Sequence, residues 1–250
     1  TEHSLSRITS KPDWGIDSVI SEGIEYLVAL ETIKELPFCN LIKFKSTRTK
    51  KINRKVLIIA PMSGHYATLT RNTVISLLPN CDVYVTDWKN ARDVPFSAGK
   101  FDIEDFTNYL VEFYSDLSPG LNVMAVCQPA PLALAASAIT SEKSPEFNPK
   151  SLTLIGGPID PDANPTDVTD FGHRTSMEAL ETTVTMPVGL NYKGVGREVY
   201  PGAIQLASFM AMNKETHSQA FANQIEKEAA GTASEFDRYN KFYDEYLAVM

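Results

Sequence analysis

Four short apolar runs recur along the middle of this chain: KVLIIAP (55–61), DVYVTDW (82–88), LNVMAVC (121–127) and SLTLIGG (151–157). Each is rich in β-branched residues and short. Such runs suit parallel strands buried on both faces. Helix-like stretches separate them. TLTRNTVISLLP (68–79) stops at Pro79. DIEDFTNYLVEFYSDL (102–117) puts Ile103, Phe106, Leu110, Phe113 and Leu117 on one helical face, with Asp102 as its N-cap and SPG (118–120) as its stop. PAPLALAASAIT (129–140) reads as a third helix. Strand and helix alternating at this spacing mean repeated βαβ units around a parallel sheet.

The flanks differ. The first 20 residues are polar and weakly patterned, and GIEYLVALETI (23–33) and FCNLIKFKS (38–46) read as two strands on either side of Pro37. They supply antiparallel edge strands. After Gly157 the rhythm stops. A Pro- and Asp-rich loop, PIDPDANPTD (158–167), leads into TSMEALET, GAIQLASFMAMN (202–213), THSQAFANQIEKEAA (216–230) and SEFDRYNKFYDEYLAVM (234–250), all helical in pattern. TTVTMPV (182–188) is strand-like, but Pro187 argues against a strand. The expectation is an α/β fold with a mostly parallel sheet, antiparallel N-terminal edge strands and a helical cap after the fourth parallel strand. Residues 1–157 form the core and 158–250 the cap.

Charge narrows the partners. The 250 residues carry 23 Lys and Arg against 31 Asp and Glu, a net charge of −8, so a phosphate backbone is repelled and nucleic acid is not expected. One basic patch, KFKSTRTKKINRK (43–55), lies between strand-like runs and reads as a solvated turn. Cys39, Cys81 and Cys127 are odd in number and far apart, without metal-ligand or CxxC spacing, which fits a reducing compartment. TEHSLSRITSKPDWG lacks the layout of a secretory signal, and no run approaches the ~18 apolar residues of a membrane span. A cytoplasmic protein with no membrane partner, cofactor or metal is expected.

Cys127 stands where the third buried strand meets a helix. A strand, a sharp turn bearing a nucleophile and then a helix form a nucleophile elbow, in which the helix N-terminus faces the thiol and favours the thiolate. The N–H of Gln128, the next residue, would then hold an oxyanion. Pro129 and Pro131 are compatible with the first helical turn. The five residues here are Ala125-Val126-Cys127-Gln128-Pro129, whereas the usual pattern is G-x-S-x-G. Spacing alone therefore leaves a second reading equally open, a buried cysteine ending a core strand. The loop APMSGHYATLTR (60–71) occupies the position from which hydrolases with such an elbow donate the other oxyanion N–H, with Ser63 and Gly64 as donors; His65 reads equally as a residue near the site and as an ordinary polar loop residue.

Longer strings carry a resemblance. VLIIAPMSGHYATLTRNTVISLLPNCDVYVTDWKNARDVP, VMAVCQPA, SLTLIGGPIDPDANPT, VYPGAIQLASFMAMN and FYDEYLAVM are similar to the intracellular polyhydroxybutyrate (polyhydroxyalkanoate) depolymerase family, from about residue 27 to Met250. The resemblance implies an α/β-hydrolase fold and a cysteine nucleophile, which falls on Cys127. It implies hydrolysis of poly(3-hydroxyalkanoate) esters at the surface of storage granules in bacterial cytoplasm, through a thioester. It also implies a Cys…Asp…His triad. Members of the family continue past FYDEYLAVM, and their triad Asp and His lie in that continuation with further strands. The amino-terminal region also looks shortened here. No triad Asp or His is thus carried onto this sequence. His173 and His217 fall in the helical region, and Asp160, Asp162, Asp167 and Asp170 read as loop and capping residues.

Two alternatives follow. One is a granule-binding protein that lacks part of the catalytic machinery. The other is an acyltransferase related to polyester synthases, which carry glycines after the cysteine where this chain has Gln128-Pro129. A homodimer is left open. Phe209, Met210, Met212, Phe236, Tyr239, Phe242, Tyr243 and Tyr246 either pack the cap on the sheet or line a groove for an apolar polyester. Trp88 carries the same two readings, and Asp87 and Arg92 read as local loop pairs.

Overall fold

The computed structural model describes residues 11–49, 52–62, 66–212 and 214–233, with the side chain of Phe209 outside the description. Seven strands form one sheet: β1 (Ser18–Ser21), β2 (Ile24–Glu35), β3 (Cys39–Ser46), β4 (Lys55–Ile59), β5 (Asp82–Trp88), β6 (Leu121–Val126) and β7 (Ser151–Ile155). Their spatial order is β1-β2-β3-β5-β4-β6-β7. The pairs β1–β2, β2–β3 and β3–β5 are antiparallel, while β5–β4, β4–β6 and β6–β7 are parallel. The sheet is mixed, with its antiparallel strands gathered at the N-terminal edge and its parallel strands at the other.

Helices α1 (Arg71–Leu77), α2 (Ile103–Leu117) and α3 (Ala130–Lys143) connect the parallel strands. Leu57, Ile58 and Ile59 of central β4 are wholly buried, as expected for a strand covered on both faces. Helix α2 starts at a capping box: Asp102 Oδ1 accepts from the N–H groups of Glu104 (2.9 Å) and Asp105 (3.1 Å), and Asp105 Oδ2 accepts from the N–H of Asp102 (3.1 Å). Phe106, Leu110, Phe113 and Leu117 are buried, but Ile103 is 68% exposed. Ile103 stands in the first turn, and α2 meets the core only from Phe106 onward. In α3, Ala130, Ala133 and Ala136 are fully buried, and small side chains let this helix lie close to its neighbours. Tyr114 of α2 donates to the carbonyl of Ala133 at 3.3 Å across that contact.

Two elements differ from the sequence reading. Strand β1 forms in the segment without clear patterning, where Ser18–Ser21 pairs with Leu27–Ile24 across a turn carried by Glu22 and Gly23, both at positive φ. Beyond β7, helices α4 (Asp167–Arg174), α5 (Met177–Val184), α6 (Gly202–Met212) and α7 (Lys214–Ala229) enclose a short ribbon of β8 (Met186–Pro187) and β9 (Glu198–Val199). Pro187 lies in a strand after all. In a two-stranded ribbon its missing N–H falls where no partner strand requires it. Val188 N–H continues the pairing to the carbonyl of Arg197 at 2.9 Å. The helix read at 234–250 lies outside the described residues. No helix among the described residues is long and apolar enough to cross a membrane.

The basic stretch is largely engaged with its own surroundings. Arg48 donates to the carbonyls of Leu78 (2.8 Å) and Pro79 (2.5 Å) at the end of α1, and Lys45 pairs with Glu31 at 3.2 Å.

Topology sets the position of the site. From β4 the chain moves to β5 on one side, then crosses to β6 on the other. The loops leaving the carboxyl ends of β4 and β6 therefore diverge above adjacent strands, and such a crevice is where open α/β sheets bind ligands.

Candidate active site

Cys127 is the first residue after β6, and three residues later α3 begins. Its φ is +63°, a left-handed conformation that a non-glycine residue adopts at a cost of roughly 1–3 kcal/mol. The backbone around it holds the conformation. The N–H of Cys127 donates to the carbonyl of Ile155 on β7 at 2.7 Å, and its own carbonyl accepts from the N–H of Ala130 at 3.1 Å. Pro129 precedes the helix at φ −77°, which its ring favours. The sharp bend lifts the side chain out of the sheet. Cys127 is exposed, whereas Cys39 and Cys81 are buried. The reading of Cys127 as a buried core cysteine is thereby removed. Burial pushes the thiols of Cys39 and Cys81 above their ordinary pKa.

The glycines missing from the elbow reappear on the neighbouring strand. A Cβ on Gly157 would stand 2.1 Å from the Cβ of Ala130 and 2.7 Å from the carbonyl oxygen of Cys127. Only hydrogen fits there. Gly156 before it has φ +62°, so the chain turns sharply as it leaves β7. This pair is a structural feature that the sequence reading missed. Its signal, Gly-Gly directly after an apolar strand run, was visible, but not what it would touch.

The loop after β4 approaches the bend. Gln128 accepts from the N–H of Met62 through Oε1 at 3.2 Å, tying the two loops together by a side chain that sequence reasoning had considered only for its backbone. Ser63, Gly64 and His65 lie outside the described residues. Below the loop, Ala60 is held by β5: its N–H donates to Thr86 Oγ1 at 3.0 Å, and its carbonyl accepts from Trp88 Nε1 at 2.8 Å. Trp88 is buried and stacks on Phe106 at 4.2 Å, so it is a core residue.

The cap segment around the β8–β9 ribbon docks on the loop after β5. Arg197 donates to the carbonyls of Val94 (3.2 Å), Pro95 (2.8 Å) and Gly99 (2.6 Å), and its guanidinium lies 4.8 Å from the centre of the Phe38 ring. Burial draws its pKa below the ordinary arginine value. Gly194 donates to the carbonyl of Arg92 at 2.8 Å, and a Cβ there would meet three carbonyl oxygens at 2.8–2.9 Å. Between this docked segment and the core lies a cavity of about 1090 Å³. Its walls include Phe38, Met62, Phe96, Phe101, Val199 and Tyr200. Met62 lines this cavity and also contacts the elbow through Gln128.

Other candidate residues have partners of their own. His173 Nε2 is 2.8 Å from Asp162 Oδ1, and both side chains are mostly exposed. Asp160 caps its own loop by accepting from the N–H groups of Asp162 and Ala163. Asp167 and Asp170 lie in the first turn of α4, whose N-cap is Thr166. Asp87 is not a local loop residue: it is buried and pairs with Lys11, 76 positions away. Arg92 has a local partner in Asp93 at 3.6 Å, and it also lies over the ring of Tyr192 in the cap. No group of three or more His, Cys, Asp or Glu side chains among the described residues is arranged to hold a metal ion.

Residues 156–250 match the family described as PHB de-polymerase C-terminus. The matched segment starts as the chain leaves β7 and contains the docked cap, while Cys127 lies before it. Among solved structures, an arylesterase is 12% identical with a TM-score of 0.37, covering 54% of this chain and 46% of its own. An esterase from Pyrobaculum calidifontis is 16% identical with a TM-score of 0.40, covering 61% and 52%. The esterase LipW from Mycobacterium marinum is 15% identical with a TM-score of 0.41, covering 58% and 48%. This chain spans about half the length of these structures. Nothing about substrate or mechanism is carried over from them. No curated protein sequence matches the chain.

Proposed function

We propose that this chain carries the nucleophilic part of a thiol-type esterase acting on poly(3-hydroxyalkanoate). The observation that carries the reading is Cys127, exposed at φ +63° on a bend between a parallel strand and a helix. A strained backbone at an exposed nucleophile is the mark of a functional turn. The family match over residues 156–250 supports the polyester as substrate.

In this reading the Cys127 thiolate attacks an ester carbonyl carbon. The tetrahedral oxyanion is held by the N–H of Gln128 and one from Ser63 or Gly64, and losing one such donor typically costs about 3 kcal/mol of barrier. The carbon–oxygen bond then breaks, the hydroxyl end of the polymer leaves with a proton, and a thioester remains. Water cleaves the thioester to a carboxylic acid and restores the thiol. Proton transfer requires a base held near sulfur. The His173–Asp162 pair faces solvent and is not assigned that role. The polymer chain lies in the apolar cavity between cap and core, with Phe38, Phe96 and Phe101 on one side and Val199 and Tyr200 on the other. Val168 and Phe171, about one turn apart on α4 and both more than half exposed, provide apolar contact with a granule. Residues 158–250 act as the cap in this scheme, and the cytoplasm is its setting.

The test is incubation with amorphous poly(3-hydroxybutyrate) granules. Release of 3-hydroxybutyrate that disappears in Cys127→Ala supports the reading, and equal release from both proteins defeats it. The solvent-facing His173–Asp162 pair favours a second reading, a chain that binds granules without cleaving them. That reading predicts co-sedimentation of wild type and Cys127→Ala alike, with no acid released by either.

A further inference from the structure

Three residues lead the chain out of β4 toward the elbow: Ala60, Pro61 and Met62. The N–H of Ala60 is spent on Thr86 Oγ1 at 3.0 Å, and Pro61 has none. Met62 is thus the first residue of the loop whose N–H is bonded outside the sheet. It donates to Gln128 Oε1 at 3.2 Å. Gln128 directly follows Cys127, so an amide carbonyl oxygen from the residue after the nucleophile sits on this donor. The bond lies in the open: Cys127 and Gln128 are exposed, and Met62 is half-buried. Met62 also lines the cavity of about 1090 Å³ between cap and core. One residue therefore joins the cavity wall to the turn that carries the thiol.

The two ends of this bond differ in rigidity. Behind the donor, Ala60 is wholly buried, its carbonyl accepts from Trp88 Nε1 at 2.8 Å, and the Pro61 ring fixes the next φ. The acceptor ends an exposed side chain, for which water is an alternative partner, so the bond is readily exchanged. A tie that only held the two loops together would gain from a buried acceptor, and this one has none. A fixed donor under an exchangeable carbonyl oxygen, next to a nucleophile, is arranged to receive a second carbonyl oxygen, that of the ester under attack.

We propose that the N–H of Met62 is a further oxyanion donor at Cys127, and that the Gln128 side-chain amide holds its place in the resting protein. The inference rests on the thiol-esterase reading above and adds to it. As sulfur attacks, the ester carbonyl oxygen takes up negative charge and displaces Gln128 Oε1 from Met62. The N–H then serves an oxyanion in place of a neutral amide, so its bond strengthens in the transition state. When the carbon–oxygen bond has broken and the thioester has been hydrolysed, Oε1 returns. Gln128 thus acts twice: its backbone N–H donates to the oxyanion, and its side chain covers the neighbouring donor until an ester arrives.

The test reads the Met62 amide directly, by NMR on the full chain. Pro61-Met62 is the one Pro-Met pair in the sequence, so isotope labels on the proline carbonyl carbon and the methionine nitrogen isolate that N–H. One sample is treated with butanal, whose carbonyl carbon adds to the Cys127 sulfur while the thiol proton passes to oxygen, giving a tetrahedral hemithioacetal. A second is treated with methyl methanethiosulfonate, which loses methanesulfinate and leaves a methyl disulfide on Cys127, without an oxygen. The butanal adduct should move the Met62 proton downfield, and the methyl disulfide should leave it near its resting position. Gln128→Ala, which lacks the covering oxygen, should be acylated by an activated aryl ester of 3-hydroxybutyrate about twofold to tenfold faster than wild type, the scale of one hydrogen bond that no longer has to break. Slower acylation of Gln128→Ala would make the bond a structural tie and overturn the proposal. So would an equal shift with the methyl disulfide. A butanal adduct that leaves Met62 unmoved defeats this inference alone, whereas no adduct on Cys127 defeats the thiol-esterase reading and this inference with it.

Discussion

Gly157 on the exit from β7 and Ala130 at the start of α3 approach so closely that a Cβ on the glycine would lie 2.1 Å from that of the alanine. The contact is backed by the Cys127 carbonyl at 2.7 Å, so neither side can yield without moving the elbow. Gly157→Ala should therefore act as an overpacking substitution, lowering stability by about 1–3 kcal/mol in urea melts. Because the displaced atoms belong to Cys127 and Ala130, hydrolysis should fall by more than the loss of folded protein explains. A variant with unchanged midpoint and activity would show that the approach is slack.

The cap should detach when its anchor is removed. Arg197 serves three carbonyls of the loop after β5. Arg197→Met keeps the stem but leaves those oxygens without their donor, at a cost on the order of 2 kcal/mol. Limited proteolysis should then cut between residues 185 and 200 faster than in wild type, while the sheet core stays intact. Arg197→Lys should be intermediate, since an ammonium cannot reach three carbonyls as a planar fork does. Equal proteolysis rates in all three proteins would contradict the docking.

Trp88 and Ala60 offer a third test. The indole N–H is the donor to the buried Ala60 carbonyl at 2.8 Å. Trp88→Phe retains stacking area against Phe106 and orphans that carbonyl, which should cost about 1–3 kcal/mol in a denaturant melt. Because Ala60 begins the loop toward Met62 and Gln128, activity should fall too. A change below the error of the melt would mean that the carbonyl finds another donor.

Alkaline pH should unfold this protein through its buried acids. Burial raises the Tyr114 hydroxyl above its ordinary 10.0 and the Cys39 thiol well above 9.0. Both are neutral when folded, while the unfolded chain ionises them at their ordinary values. Their share of stability is thus complete below about pH 9 and falls as pH rises from there toward the folded-state values. Thermal melts from pH 7 to 11 should show this decline beginning near pH 9. Tyr114→Phe should flatten the part above pH 10 and cost about 1 kcal/mol or less at pH 7, where it loses one 3.3 Å hydrogen bond. A limb of the same steepness in the variant would assign the loss to other groups.

The four parallel strands were legible because each is a short apolar run, but only β4 and β5 are buried nearly throughout; β7, at the edge of the sheet, leaves Ser151, Thr153 and Ile155 exposed. The place of the elbow was legible for the same reason: it is where one such run meets a helix. Its geometry was not. Cys127 takes a positive φ without glycine in its own motif, and the space it needs comes from Gly157, 30 positions later. Only the parallel pairing of β6 with β7 brings those residues together. The Lys11–Asp87 pair is likewise a product of folding, across 76 positions. Strand β1 and the β8–β9 ribbon are too short for any periodicity to register, and partners across the turn define them. Ile103 matched the helical stripe in spacing, but stands before the helix reaches the core.

The central claim is that Cys127 is a nucleophile, and the most direct measurement of it is covalent. The full chain is mixed with an activated aryl ester of 3-hydroxybutyrate, quenched in acid and mapped by mass spectrometry. The account predicts one hydroxybutyryl group, as a thioester on the peptide containing Cys127, with Cys39 and Cys81 unmodified and no adduct in Cys127→Ala. Absence of acylation at Cys127, or acylation spread over all three cysteines in proportion to unfolding, would contradict it.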